Sequence, residues 1–237
     1  MCTVSFYKTQ HQVIITSNRD ESAFRPNSTV PKSELAFGKR LFFPKDPQAG
    51  GTWIVANEKG DAFVLLNGAE FNGAAKSYCG RSRGIVLLEL ASSNHINAAW
   101  HQIDLLDIAP FTIVVYAKNE LIQLRWDGEK KEHQTLSSGT PMIWSSSTLY
   151  APKIIKDRRS WFSQFIREKH QQLDANDLMN FHTNTFTADK ENGLIIDRNG
   201  KMLTKSVTQW ILNNGSFSLR HIDLVEQTTT ILTEKLC

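Results

Sequence analysis

The sequence contains little sulfur, and none of it is arranged to bind metal. Its three cysteines, Cys2, Cys79 and Cys237, lie far apart, with no CxxC pair and no Cys/His cluster. No metal site is therefore expected, and the cysteines read as reduced thiols of a cytoplasmic protein. Long apolar runs are also missing. Nothing approaches the ~20 consecutive apolar residues of a membrane helix, and no basic start followed by an apolar run opens the chain. Stable membrane insertion and secretion are both disfavoured. Charge of one sign is scarce too: 27 Lys and Arg against 24 Asp and Glu leave a net charge of +3. Basic residues are scattered apart from a cluster at Lys153 to Arg159, so nucleic acid is not an expected partner. There is no P-loop, no GxGxxG after a strand, no HExxH, no internal repeat and no low-complexity tract. Nucleotide and zinc-protease readings fall away, and no cofactor is expected.

What is present suits a globular chain. With 237 residues, 41% hydrophobic and 22% charged, one well-buried domain spanning residues 1–237 is expected. The informative stretch is the beginning. Met1-Cys2-Thr3-Val4-Ser5-Phe6 and Val13-Ile14-Ile15-Thr16 read as strands joined by the polar turn Lys8 to Gln12. That hairpin brings the polar run Ser17-Asn18-Arg19-Asp20-Glu21 back beside the chain start. Removal of Met1 leaves a thiol and a free α-amine on Cys2. An α-amine titrates near pH ~8, so it can take the thiol proton and serve as the base of its own nucleophile. Asn18 donates and accepts, Arg19 offers a fork of donors, and Asp20 orients an ammonium. The alternative is an ordinary hairpin with Cys2 as a small buried residue.

From Ser22 to Gln48 periodicity is lost and Pro26, Pro31, Pro44 and Pro47 punctuate the chain, predicting a long irregular surface excursion. Gly50-Gly51-Thr52-Trp53 then leads into strands at Ile54–Ala56 and Ala62–Asn67. Asn67 either supplies an amide N–H to an oxyanion or caps a turn with Gly68. Short helices are predicted over Ile85–Ala91 and, after an Asn94 cap, Ile96–His101. Strands follow at Phe111–Tyr116, Leu121–Trp126 and His133–Leu136. Ser145, Ser146, Ser147 and Thr148 end the next strand, where they either bind a polar substrate group or cap the helix from Pro152 to Glu168. On that helix Lys156, Asp157, Arg158 and Arg159 read as the solvated face. A helix capped by Asp174 and strands at Gly193–Asp197, Lys205–Leu212 and Phe217–Ile222 complete the pattern. Strands, helices, strands, helices, strands suit a layered α+β sandwich.

The opening Met1-Cys2-Thr3, the tetrapeptide Asn18-Arg19-Asp20-Glu21, Gly50-Gly51-Thr52-Trp53, Asn67 and Ser82-Arg83-Gly84 resemble the NRDE family, whose eukaryotic members are called transport and Golgi organisation proteins. The resemblance implies a fold like that of N-terminal nucleophile hydrolases: a four-layer αββα sandwich of two mainly antiparallel sheets. It further implies an amidohydrolase acting on a C–N bond of a small molecule, with Cys2, Arg19, Asp20 and Asn67 catalytic and Asn18, Trp53, Ser145 and Ser146 around the substrate. The well-studied acylases of this fold end the second strand Arg-Asn-x-Asp, whereas here the order is Asn18-Arg19-Asp20, which leaves the roles of Arg19 and Asp20 open. The competing expectation is a non-enzymatic ligand-binding or trafficking protein, haem handling being the specific case, although no Cys-x-x-Cys-His or Cys-Pro motif occurs.

Overall fold

A computed structural model describes residues 3–69, 80–169, 173–186 and 188–236. All three cysteines, the expected nucleophile Cys2 among them, lie outside these residues.

Six strands come first: β1 (Thr3–Lys8), β2 (Val13–Ser22), β3 (Lys32–Ala36), β4 (Lys39–Phe43), β5 (Ile54–Asn57) and β6 (Ala62–Asn67). Helices α1 (Arg83–Ser92) and α2 (Ile96–Gln102) follow, then β7 (Phe111–Ala117), β8 (Glu120–Trp126), β9 (Lys131–Leu136) and β10 (Met142–Ser145). Helices α3 (Pro152–Glu168) and α4 (Ala175–Asn184) precede β11 (Asp197–Arg198), β12 (Met202–Asn213), β13 (Ser216–Asp223) and β14 (Thr228–Lys235).

The strands form two antiparallel sheets of seven. One runs β3-β4-β5-β6-β7-β8-β9 in chain order. The other runs β10-β1-β2-β12-β13-β14, with β11 on β12. Both sheets bury both faces over their centres, which is why β6 from Ala62 to Leu66 and β7 from Ile113 to Ala117 do not alternate between apolar and polar residues. Three apolar clusters mark the three interfaces. Leu41, Phe63, Leu65, Trp100 and Ile113 pack the first sheet against α1 and α2. Val4, Phe6, Trp53, Leu66 and Trp210 fill the space between the sheets. Ile14, Phe162, Leu178 and Phe181 pack the second sheet against α3 and α4. The order of layers is α, β, β, α, as the resemblance to the NRDE family implies.

Several elements differ from the sequence reading. The stretch read as an irregular excursion contains the hairpin β3–β4, closed by Phe37 and Gly38, both with positive φ. Left-handed backbone at both central positions is the type I′ geometry that matches strand twist, and it is unexpected for Phe. Strand β14 is a further addition: Ile231 stands on its exposed face and Glu234 on its half-buried one, which breaks the apolar/polar alternation. The predicted strand at Gly193–Asp197 shrinks to Asp197–Arg198. The carbonyls of Gly193 and Leu194 accept side-chain donors from Arg158 and Asn18, so they serve no ladder. His95, not Asn94, precedes α2, and it makes no side-chain cap. Asp174 does cap α4, in a reciprocal box with Asp177.

Two glycine motifs explain each other. A Cβ on Gly84, in the first turn of α1, would meet the Thr52 carbonyl oxygen at 2.6 Å, and one on Gly51 would meet the Gly84 carbonyl carbon at 2.6 Å. Gly50-Gly51-Thr52-Trp53 and Ser82-Arg83-Gly84 are therefore a helix-to-strand contact at backbone distance, with Ser82 capping the helix by accepting from the Gly84 amide at 3.2 Å.

Candidate active site

The tips of β1, β2, β6 and β10 meet at one end of the sandwich. Thr3, where the described part of β1 begins, pairs with Asn18 on one side and Ser145 on the other. The two sheets are tied there by hydroxyls. Ser146 Oγ donates to the Asn67 carbonyl at 2.7 Å and accepts or donates to Thr148 at 3.0 Å, while Ser147 Oγ donates to the Ala69 carbonyl. The serines therefore do not cap α3, whose N-cap is Ala151 with no side-chain bond. Ser145 lies half-buried on the wall of a cavity of about 520 Å³, together with Leu66, Trp144, Tyr150 and Ile155.

The pleat of β2 divides the polar tetrapeptide between two faces. Arg19 turns inward, buried between the sheets. Its guanidinium lies 5.0 Å from the Trp53 ring centre, and Nη2 donates to Asp46 at 2.8 Å. Arg25 donates to the same carboxylate at 2.8 Å. Burial alone would raise the pKa of Asp46. Hydrogen bonds from Arg25, the Ala49 amide and Arg19 outweigh it, and the carboxyl is held below its ordinary range. Arg19 Nη1 is buried with no hydrogen-bond partner among the described residues. The Nε1 of Trp53, itself buried, is likewise unpartnered.

Asn18 and Asp20 turn outward, toward the helices. The Asn18 amide donates to the carbonyls of His182 at 3.2 Å and Leu194 at 2.7 Å, and its Oδ1 meets His182 Nδ1. His182 Nε2 lies 2.7 Å from Ser5 Oγ. Burial, and secondarily the charge of Arg158, lower the pKa of His182 to about 3, so the ring is neutral near pH 7. Asp20 accepts from Tyr150 Oη at 2.7 Å and from the Thr204 hydroxyl.

Arg158 departs most from the sequence reading. It is buried, not solvated: its guanidinium stacks 3.6 Å over the Tyr150 ring and donates to Thr3 Oγ1 and to the carbonyls of Asn192 and Gly193. The signal was present, because position 158 falls three after Ile155 and four before Phe162, on the apolar stripe of α3. Tyr150, Thr204 and Asp46 carried no comparable signal; only the fold brings them to the strand tips. Asn67 ends β6 on the face that pleating gives to Leu65 and Phe111, with Oδ1 buried and without a hydrogen-bond partner among the described residues. Among the described residues no group of three or more His, Cys, Asp and Glu is placed to hold a metal, and no helix is long and apolar enough to cross a membrane.

Two facing antiparallel sheets between helical layers define the fold of the N-terminal nucleophile hydrolases. Within that class the chain belongs to the Transport and Golgi organisation 2 family, whose model matches residues 1–225. No curated protein matches the sequence significantly. Among solved structures, the N-acylethanolamine-hydrolyzing acid amidase ortholog of Caenorhabditis elegans is similar, with a TM-score of 0.63 at 15% identity over 88% of this chain and 92% of that one. Two variants of the conjugated bile acid hydrolase of Clostridium perfringens are similar as well. They give TM-scores of 0.57 and 0.52 at 12% and 13% identity, each over 100% of this chain and 97% of the other.

Proposed function

We propose that the protein is an amidohydrolase whose nucleophile is the thiol of Cys2, exposed with its α-amine by removal of Met1. The observation that carries this is Arg19 Nη1, a buried donor with no acceptor, on the strand adjoining the chain start. Leaving such a group unmet costs about 1–3 kcal/mol. A thiolate is an acceptor of the right charge, and a cation beside it stabilises the ionised form. The reading requires the β1–β2 ladder to continue by one pair, Cys2 against Arg19. The similar solved structures, amidases by their names, support the reaction class.

In the proposed reaction the α-amine takes the thiol proton and Sγ forms a bond to the amide carbonyl carbon. The C–N bond then breaks, the ammonium returns the proton to the departing nitrogen, and water hydrolyses the thioester to release the acid and restore the thiol. Asp20, held by Tyr150 and Thr204, would orient the ammonium. The oxyanion role of Asn67 needs its amide to turn from the α1 side toward the tip of β1, and Asn67→Ala tests it. Trp53 and Asn18 would act by fixing Arg19 and the β2 backbone, while Ser145 and Ser146 would border the substrate.

The test is a panel of N-acyl amides offered to wild type and Cys2→Ala, with intact mass read for loss of Met1. Turnover by wild type that is lost in the variant supports the reading. Equal turnover by both, or a mature chain that keeps Met1, overturns it. Ligand binding without turnover by either would support the non-enzymatic carrier instead.

A further inference from the structure

Helix α3 turns one continuous stripe to solvent. Lys153, Lys156, Arg159, Ser160, Ser163 and Arg167 are all exposed and follow the three-and-four spacing of a single helix face, which runs ~21 Å from Lys153 to Arg167. The stripe carries cations and hydroxyls and no acid. The two carboxylates of the helix are engaged beside it: Asp157 pairs with Lys153 at 3.1 Å, and Glu168 accepts from Gln164 at 2.8 Å. Among the described residues Lys156, Arg159 and Arg167 make no ion pair. Other exposed cations, Arg40 and Lys169 among them, do meet carboxylates. Like charges one turn apart destabilise a helix in water, and Lys156 with Arg159 are such a pair; a negative surface laid over them reverses the sign of that contribution.

The surface beside the stripe is uncharged. Residues 134–152, which hold β10 and the turns on either side of it, contain no Asp, Glu, Lys or Arg. Trp144, Ser145, Tyr150 and Pro152 of this segment line the cavity of about 520 Å³ together with Lys156 and Arg159, so the basic stripe forms one lip of its mouth. Gln134, Pro141 and Met142 border a second hollow of about 370 Å³, where Arg159 and Ser163 form the lip. A cationic ridge with neutral ground along one flank can lie against a negatively charged plane with no carboxylate of its own helix face repelling it.

We propose that this face of α3 is a docking surface for an anionic phospholipid bilayer. Lys153, Lys156, Arg159 and Arg167 lie against the charged headgroups, and the cavity mouth is thereby turned to the membrane plane, where an amphipathic ligand can enter it. Attachment is by charge and not by insertion, because the apolar side of α3 is already spent on the second sheet and α4. A bilayer fits the stripe better than nucleic acid does, since the ridge carries no exposed aromatic ring on which a base could stack. The docking surface is independent of the hydrolase reading.

The test is cosedimentation of the full chain with vesicles of phosphatidylcholine alone and of phosphatidylcholine with about 30% phosphatidylserine. Wild type is expected to bind the anionic vesicles at least about tenfold more tightly at about 50 mM salt and to be released at about 0.5 M. Each cation near a charged bilayer contributes about fivefold, so Lys156→Gln/Arg159→Gln/Arg167→Gln should weaken binding about a hundredfold. A second triple variant, Lys39→Gln/Lys118→Gln/Lys235→Gln, removes the same charge from exposed positions elsewhere on the molecule and should stay within about threefold of wild type. All six substituted residues are exposed, so both variants should keep the wild-type melting temperature. Binding that ignores phosphatidylserine, no binding to either vesicle, an equal loss in both triple variants, or tighter binding to a short RNA duplex than to anionic vesicles at equal phosphate concentration overturns the proposal.

Discussion

The two faces of β2 carry nearly the same kinds of residue and do opposite things. On the outer face Ser5, His182 and Asn18 form a chain of nucleophile-type hydroxyl, imidazole and orienting amide, with Ser5 Oγ 2.7 Å from His182 Nε2. By geometry alone it is a catalytic triad. Yet all three residues are buried, each is bonded to the others or to backbone, and His182 lines none of the cavities described. On the inner face Arg19 keeps one guanidinium nitrogen unmatched. The contrast shows that hydrogen-bond geometry does not separate a working site from a structural clasp. A closed, fully satisfied network holds α4 to β1 and β2, whereas an unsatisfied buried donor marks where something else belongs.

His182→Ala gives the sharpest test of that contrast. It removes the partner of Ser5 and Asn18 and leaves a cavity under α4, and should destabilise the fold by about 3 kcal/mol in denaturant unfolding. The alkylation rate of Cys2, measured below the melting temperature, should stay within about twofold of wild type. A loss of thiol reactivity larger than the loss of stability explains would make the outer triad part of the chemistry.

Gly84→Ala probes the backbone contact that holds α1 on the Gly51–Thr52 segment. A Cβ would sit 2.6 Å from the Thr52 carbonyl oxygen and 2.7 Å from its nitrogen, so the helix must shift. A loss of roughly 2–3 kcal/mol is expected from overpacking. An unchanged melting temperature would show that the two glycine motifs are not a packing pair.

Acid should destabilise the protein through two buried imidazoles, His182 on the outer face of β2 and His221 between the sheets, its ring 6.4 Å from that of Trp53. His182 is lowered from 6.5 to about 3 and His221 from 6.5 to about 4, both chiefly by burial. Below pH 6.5 the unfolded chain takes up protons that the folded chain refuses, so stability falls with falling pH and levels off only near those lowered values. At pH 5 the loss is about 2 kcal/mol for each histidine. His182→Ala should remove about half of that dependence; a pH profile unaltered by the substitution would place the acid sensitivity elsewhere.

Arg19→Leu is the smallest effect and the most specific. Asp46 keeps Arg25 and the Ala49 amide as partners, so stability should change by under about 1 kcal/mol. The alkylation rate of Cys2 at neutral pH should drop about tenfold, because the adjoining cation no longer favours the thiolate. An unaltered rate would leave the unmatched nitrogen without a chemical meaning.

Much of the fold was legible because its elements are periodic. The paired strands of the opening hairpin, β7 with β8, and the helices α1, α3 and α4 all announce themselves by spacing, and their order predicts the layers. The hairpin β3–β4 did not, since its turn uses Phe37 at positive φ and its flanks carry prolines. The site was legible as a set of residue types near the chain start, but not as an arrangement. Sequence spacing cannot say that Asn18 is consumed by His182, 164 residues away, or that Asp20 is met by Tyr150 and Thr204.

The sequence by itself determined which residues gather at the strand tips, because a short turn and matched strands fix the register of β1 on β2 and alternation fixes which side chains share a face. Only the tertiary structure decided what each face meets. Whether a buried polar group is closed off or left open depends on partners supplied by α3, α4, β12 and the segment from Asp46 to Trp53, and those arrive through long-range packing that no local pattern encodes.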